Sequence, residues 1–109
     1  MLPYIVLFDA GSTNVNDSGR AVIDQIVADA KAVPQQHISI VGHADRVGSE
    51  ADNMRLSLRR AEALRDALIQ RGIASELISV SGRGETEPFV ATRDGMAERV
   101  NRNAVISFE

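Results

Sequence analysis

The stretch from residue 42 to residue 63, GHADRVGSEADNMRLSLRRAEA, constrains this chain more than any other. It reads as a strand end, a short polar loop and the first half of an amphipathic helix. At about 100° per residue, Arg55, Arg59, Glu62, Asp66 and Gln70 gather on one side, the wet face. Met54, Leu58, Ala61, Leu64 and Leu68 gather on the other and are expected to face the core. Asn53, Ser57 and Arg60 run along the flank beside Leu56 and Leu64, at the stacking spacing i, i+4, i+7. A guanidinium beside a core stripe needs a partner, because a lone buried charge is costly. Asp45, in the loop feeding the helix, is the nearest in sequence. An acid and a base at the mouth of a strand-loop-helix unit suit a ligand that carries both charges. Two structural roles fit the same pattern. Arg60 can lay its stem on the core and hold its head in water, or it can pair with Asp45 with no ligand involved. Arg65 also sits among apolar neighbours, and periodicity does not separate it from Arg60.

The flanking segments supply a sheet and a second helix. Residues 4–8, YIVLF, form a short apolar run that reads as a buried strand, followed by a polar loop over residues 9–14. A helix is expected from Asp17 to Val33, with Val22, Ile26, Ala30 and Val33 as its apolar stripe, joined by Ile23 and Val27, and Pro34 as its stop. Residues 37–44 read as the second strand. Ser49 is an N-cap candidate, with Asp52 in the capping-box position, and Gly72 ends the helix that runs to about Arg71. Residues 75–77 suit one helical turn, 78–81 a third strand and 103–108 a last one. A short helix is expected near 96–99. The order predicts an α/β two-layer sandwich: a βαβαββ sheet, largely parallel but mixed, with helices on one face.

A chain of 109 residues suits one domain with one modest core. The net charge of −3 offers no basic excess for phosphates, which argues against a nucleic-acid partner. With no cysteine there is no disulfide or thiolate chemistry, and the redox compartment stays open. No apolar run reaches transmembrane length, and YIVLF is too short and lacks the basic leader of a signal peptide. That fits either a cytosolic protein or a domain cut from a longer exported chain, and the abrupt entry from Met1-Leu2-Pro3 into a strand slightly favours the second.

Catalytic and metal patterns are thin. His43 and Asp45 share a strand face, but zinc wants three or four ligands, and the only other histidine is His37. A hydrolase built on His43, Asp45 and Ser12 or Ser57 lacks the Gly-x-Ser-x-Gly elbow. His43 fits better as a hydrogen-bonded strand-end residue. Gly82-Arg83-Gly84 lacks the third glycine and the following helix of a dinucleotide loop. Asn101-Arg102-Asn103, just before the last strand, suits either a polar brace or a site lining.

Taken together, these residues resemble a known family. GHADRVGSEADNMRLSLRRAEALRDALIQRGI resembles the central motif of the OmpA-like peptidoglycan-binding domain, whose form is GHTD, a later Gly, Asn, then LSxxRA and a helix ending in GI. Residues 77–88 resemble that family's next strand and turn, Phe8-Asp9-x-x-Ser12 its FDxxS signature, and Asn101-Arg102 the start of its NRR motif. The resemblance spans nearly the whole chain in order. It implies a non-catalytic periplasmic domain without cofactor or metal, which anchors an envelope protein to peptidoglycan through the diaminopimelate of the stem peptide. By motif position, Asp45 would meet the ligand's ammonium and Arg60 its carboxylate. Asn53 and Leu56 would line the pocket, with Asp9 and Ser12 in the facing loop and Arg102 at the rim. Membrane attachment would come only through segments outside this sequence.

The departures are Ala44 for the family Thr, Asn103 for a second Arg, and Ala97-Glu98 where Gly-Arg is usual, with Arg99 one place late. The last of these resembles a variant with DGVxE before the NRR. The alternative of another class is a protein-protein docking module whose wall site has decayed. A hydrolase using His43 ranks last.

Overall fold

Alternating burial along short apolar runs makes the sheet. The computed structural model describes residues 3–9, 11–33, 36–44, 49–83 and 102–109. Its elements are β1 (Tyr4–Leu7), α1 (Asp17–Ala32), β2 (Ile38–Gly42), α2 (Glu50–Gln70), a 3-10 turn (Ser75–Leu77), β3 (Ile78–Gly82) and β4 (Asn103–Phe108). The expected loop over residues 45–48, the turn from Gly84 onward and the short helix near 96–99 lie outside the described residues.

The strand order is β1-β4-β2-β3. β4, last in the chain, sits between β1 and β2 and runs antiparallel to both, while β2 and β3 are parallel. The mixed α/β sandwich is as expected, but only one of these three pairings is parallel. The reason is that the final strand returns through the middle of the sheet. Residues of one face, Val6, Ile38, Ile40, Ala104 and Ile106, are buried under the two helices. Ile40 pairs with Ile106, and Val6 with Ala104, so apolar side chains meet across strands as well as along them.

Both helices start where side-chain caps allow. Asn16 accepts from the Gly19 N–H at 2.9 Å, and Ser49 from the Asp52 N–H at 3.1 Å. The Asp52 carboxylate turns to Arg55. α2 ends as its Gly72 predicts. Gly72 has φ of 97°; its N–H bonds the Ile69 carbonyl at 3.0 Å, and the Ile73 N–H bonds Leu68 at 3.1 Å, which is the Schellman closure. On α1, Ile23, Ile26 and Val27 are buried, with Val22 and Ala30 packed beside them. Val33, expected in the stripe, is the C-cap instead and is 49% exposed.

The buried face of α2 departs from its apolar pattern. Met54 and Leu58, expected in the core, are each 39% exposed. Asn53, Ser57 and Arg60 take the buried side of the first half, ahead of Ala61, Leu64 and Leu68. Contact distance decides this. The sheet beneath ends in Gly42 and Gly82, paired in register, and the helix backbone at Ser57 lies almost on them. No leucine fits between surfaces that close, so small and polar side chains face inward there.

At the opposite edge, Tyr4 ties β1 to α1. Its hydroxyl donates to Asp29, whose other oxygen accepts from Gln25 at 2.9 Å. Its ring meets Phe108 edge-on at 5.7 Å. Partial burial first, then the Asp29 carboxylate, pushes the phenol pKa up to about 12. Below pH ~10, the phenol's unfolded pKa, both states keep the proton and the contact contributes in full. Between about pH 10 and 12 the unfolded chain releases its proton first, so stability falls as pH rises. Chemical denaturation across that window should show this slope in the wild type and a flatter one in Tyr4→Phe. An ultraviolet titration of this single tyrosine at its ordinary pKa would contradict it.

Candidate functional site

At the C-terminal ends of β1 and β2, a cation is enclosed by backbone. Arg60 has no exposed surface. Its Nε donates to the Ser12 carbonyl at 3.0 Å, one terminal nitrogen to His43 at 3.0 Å and the other to Asp9 at 3.2 Å. Its carbon centre lies 5.2 Å from the centre of the Phe8 ring. A guanidinium carries five N–H donors in one plane; these carbonyls take three. The face of the Phe8 ring offers it a cation–π contact.

Local sequence sets each acceptor. After Phe8 the chain turns sharply: the Ser12 N–H bonds the Asp9 carbonyl at 3.0 Å, with Gly11 at φ 66° inside the turn. The Ser12 hydroxyl accepts from the Asn14 N–H at 3.0 Å and leads the chain into the α1 cap. Asp9 itself is exposed. His43 follows β2; it is 6% exposed, and its N–H bonds the Asn103 carbonyl at 2.7 Å. Its backbone braces the strand end, and its carbonyl is one of the three acceptors. Arg102 and Phe8 bond reciprocally: the Phe8 N–H to the Arg102 carbonyl at 2.7 Å, and Arg102 Nε to the Phe8 carbonyl at 3.2 Å.

Four of the seven residues singled out from sequence, Asp9, Ser12, Arg60 and Arg102, thus converge on one corner through direct bonds or through Phe8. Asn53 and Leu56 lie on the same helix, two turns and one turn before Arg60. Leu56 is half-buried, and Asn53 is 4% exposed with its amide nitrogen bonded to nothing among the described residues. Asp45 lies outside those residues. The picture of Arg60 with its head in water is overturned, since none of it reaches solvent. Arg65 is different in kind. Its side chain is 33% exposed and pairs with Asp66 at 3.2 Å.

Sequence reasoning missed Phe8 as the ring beside the cation, the three carbonyl acceptors, and the glycine pair under Ser57. Backbone acceptors leave no residue-type signal. The glycines did leave one, in that a Gly stands near the end of one predicted strand and directly after another. Among the described residues no group of three or more His, Cys, Asp or Glu stands ready for a metal, and no helix is long and apolar enough to cross a membrane.

Comparison with known proteins places the chain among relatives. The sequence profile of the OmpA family matches residues 7–102. Outer membrane protein A of Bordetella avium is 32% identical over 99 residues, 91% of this chain and 51% of that protein. Its namesake in Escherichia coli O157:H7 is 36% identical over 97 residues, 86% of this chain and 28% of that one. The chain therefore spans about half, or less, of these relatives. Among solved structures, the peptidoglycan-associated lipoprotein from Burkholderia pseudomallei aligns at a TM-score of 0.88 with 31% identity, covering 96% of this chain and 89% of that one. The C-terminal domain of Helicobacter pylori MotB aligns at 0.79 with 25% identity, covering all of this chain and 84% of that one.

The carbonyl ring predicts a contrast between neighbouring arginines. Arg60→Lys keeps the charge but loses the planar fork, leaving buried carbonyls unsatisfied. It should cost about 3 kcal/mol in urea unfolding. Arg59→Lys, on the exposed side of the same helix, should stay within about 0.5 kcal/mol of wild type. Equal midpoints for the two variants would contradict the ring's structural role.

Proposed function

Because the chain belongs to the OmpA family, we propose that it is a non-catalytic module that binds peptidoglycan through the diaminopimelate of the stem peptide. In this reading it works in the periplasm as part of an envelope protein, attached through segments outside this sequence. The observation that carries the reading is the Asn53 amide nitrogen, buried on the same side of α2 as the enclosed Arg60 and lacking an acceptor among the described residues. A buried donor without a partner costs about 1–3 kcal/mol, so its retention makes sense where a ligand supplies the acceptor. The names of the relatives add support: outer membrane proteins and a peptidoglycan-associated lipoprotein, none of them named for an enzymatic activity.

The roles follow from charge. Arg60 offers a carboxylate its planar N–H groups, Asp45 meets the ammonium, and Asn53 and Leu56 line the stem between them. Asp9, Ser12 and Arg102 complete the rim. With Arg60 fully buried, binding must uncover it, so association should be slower than a preformed surface site allows. Each charge-assisted bond contributes about 1.5–3 kcal/mol. One stem therefore binds modestly, and anchoring comes from tethering to the wall, which raises effective concentration. A lysine-type stem lacks the second carboxylate and should be rejected.

The test is a titration with a meso-diaminopimelate stem peptide and its lysine counterpart, followed by amide shifts and calorimetry. The expected result is shifts around Asn53, Arg60 and Asp45 with the first peptide only, abolished in Asp45→Ala. Asn53→Ala should lose about tenfold in affinity while gaining up to about 1 kcal/mol in stability, because a buried unsatisfied donor is removed. A second reading, protein docking without wall binding, is favoured by the exposure of Met54 and Leu58 one turn apart on α2. Silence toward both peptides would sink the wall reading and leave that one.

A further inference from the structure

The two glycines beneath α2 sit where the proposed ligand residues need them. Gly42 and Gly82 are register partners on β2 and β3. A Cβ on Gly42 would come 1.8 Å from the Ser57 carbonyl oxygen and 2.7 Å from its carbon. On Gly82 it would come 2.6 Å from the Ser57 hydroxyl and 2.7 Å from the Leu58 nitrogen. The pair therefore forms a floor without side chains, and Ser57, fully buried, is the helix residue resting on it. The Ser57 hydroxyl turns back to the Met54 carbonyl at 2.8 Å, which keeps the contact thin. Asn53 lies one turn before this seat and Arg60 one turn after it. α2 cannot ride higher at Ser57 without carrying both away from the corner where Asp9, Ser12 and His43 hold the guanidinium.

We infer that Gly42, Gly82 and Ser57 are positioning residues for the ligand site, setting the depth at which α2 presents Asn53 and Arg60. The inference rests on the wall-binding reading above and adds to it the residues that fix the geometry. None of the three need touch the ligand. Their effect is a displacement of several tenths of an ångström, which a site built from directed hydrogen bonds does not tolerate.

Gly82→Ala is the test, with Gly72→Ala as control. Gly72 lies at the far end of α2 at φ 97°, with nothing within 4 Å of an added Cβ, so its alanine variant strains the backbone without lifting the seat. Both variants should melt lower than wild type. Only Gly82→Ala should bind the meso-diaminopimelate peptide more weakly, by about tenfold or more, and only it should speed hydrogen exchange at the Arg60 Nε–H. Ser57→Thr adds one methyl at the same contact and serves as the milder variant should Gly82→Ala fail to fold. It should weaken binding and speed that exchange in the same direction. Wild-type affinity and wild-type Arg60 exchange in a folded Gly82→Ala or Ser57→Thr would overturn the inference. Failure of the wild type to bind either peptide would instead defeat the wall-binding reading, while the Arg60 exchange still tests the seat.

Discussion

The fold turns on a buried cation that is held by backbone. Arg60 joins α2 to the β1–α1 loop through Asp9 and Ser12, and to the end of β2 through His43. The three carbonyls are met by three different nitrogens, Nε and both terminal ones, a spread that a single ammonium nitrogen does not have. Taking a guanidinium out of water is costly. Carbonyl dipoles and the Phe8 ring contribute to offsetting that cost. One residue thereby ties α2 to the β1–α1 loop and to the end of β2.

That tie requires the helix to lie close to the sheet, and closeness dictates what can face inward. Over the paired Gly42 and Gly82 there is room for Ser57 and little else. The usual apolar stripe is displaced outward in the first half of α2, where Met54 and Leu58 meet solvent. It resumes with Ala61, Leu64 and Leu68, where the sheet carries Ile38 and Ile40. The same helix thus buries polar side chains in its first half and apolar ones in its second. A buried polar half costs stability unless it is satisfied, and the Asn53 amide nitrogen has no acceptor among the described residues.

β4 completes the corner. Being the last strand and lying in the middle of the sheet, it delivers Arg102 and Asn103 between the ends of β1 and β2. Arg102 holds Phe8 from one side, and Asn103 holds His43 from the other. The ring and the acceptor that meet Arg60 are therefore both positioned by the chain's final segment. A strand paired on one side only could not reach both.

Local chemistry determined the elements by itself. Caps at Asn16 and Ser49, the glycine stop at Gly72, the apolar runs of the strands and the family motif all sit in short windows of sequence, and all describe what the chain does. Whether Arg60 or Arg65 would be the buried cation was not in those windows, because both have apolar neighbours at helical spacing. Only the tertiary structure separated them. One meets the carbonyls of residues far away in sequence, and the other meets the adjacent Asp66. The exposure of Met54 and Leu58 was hidden for the same reason. Periodicity reports which residues share a side of a helix, while the distance to the facing sheet, set here by two absent side chains on other strands, decides which side goes in.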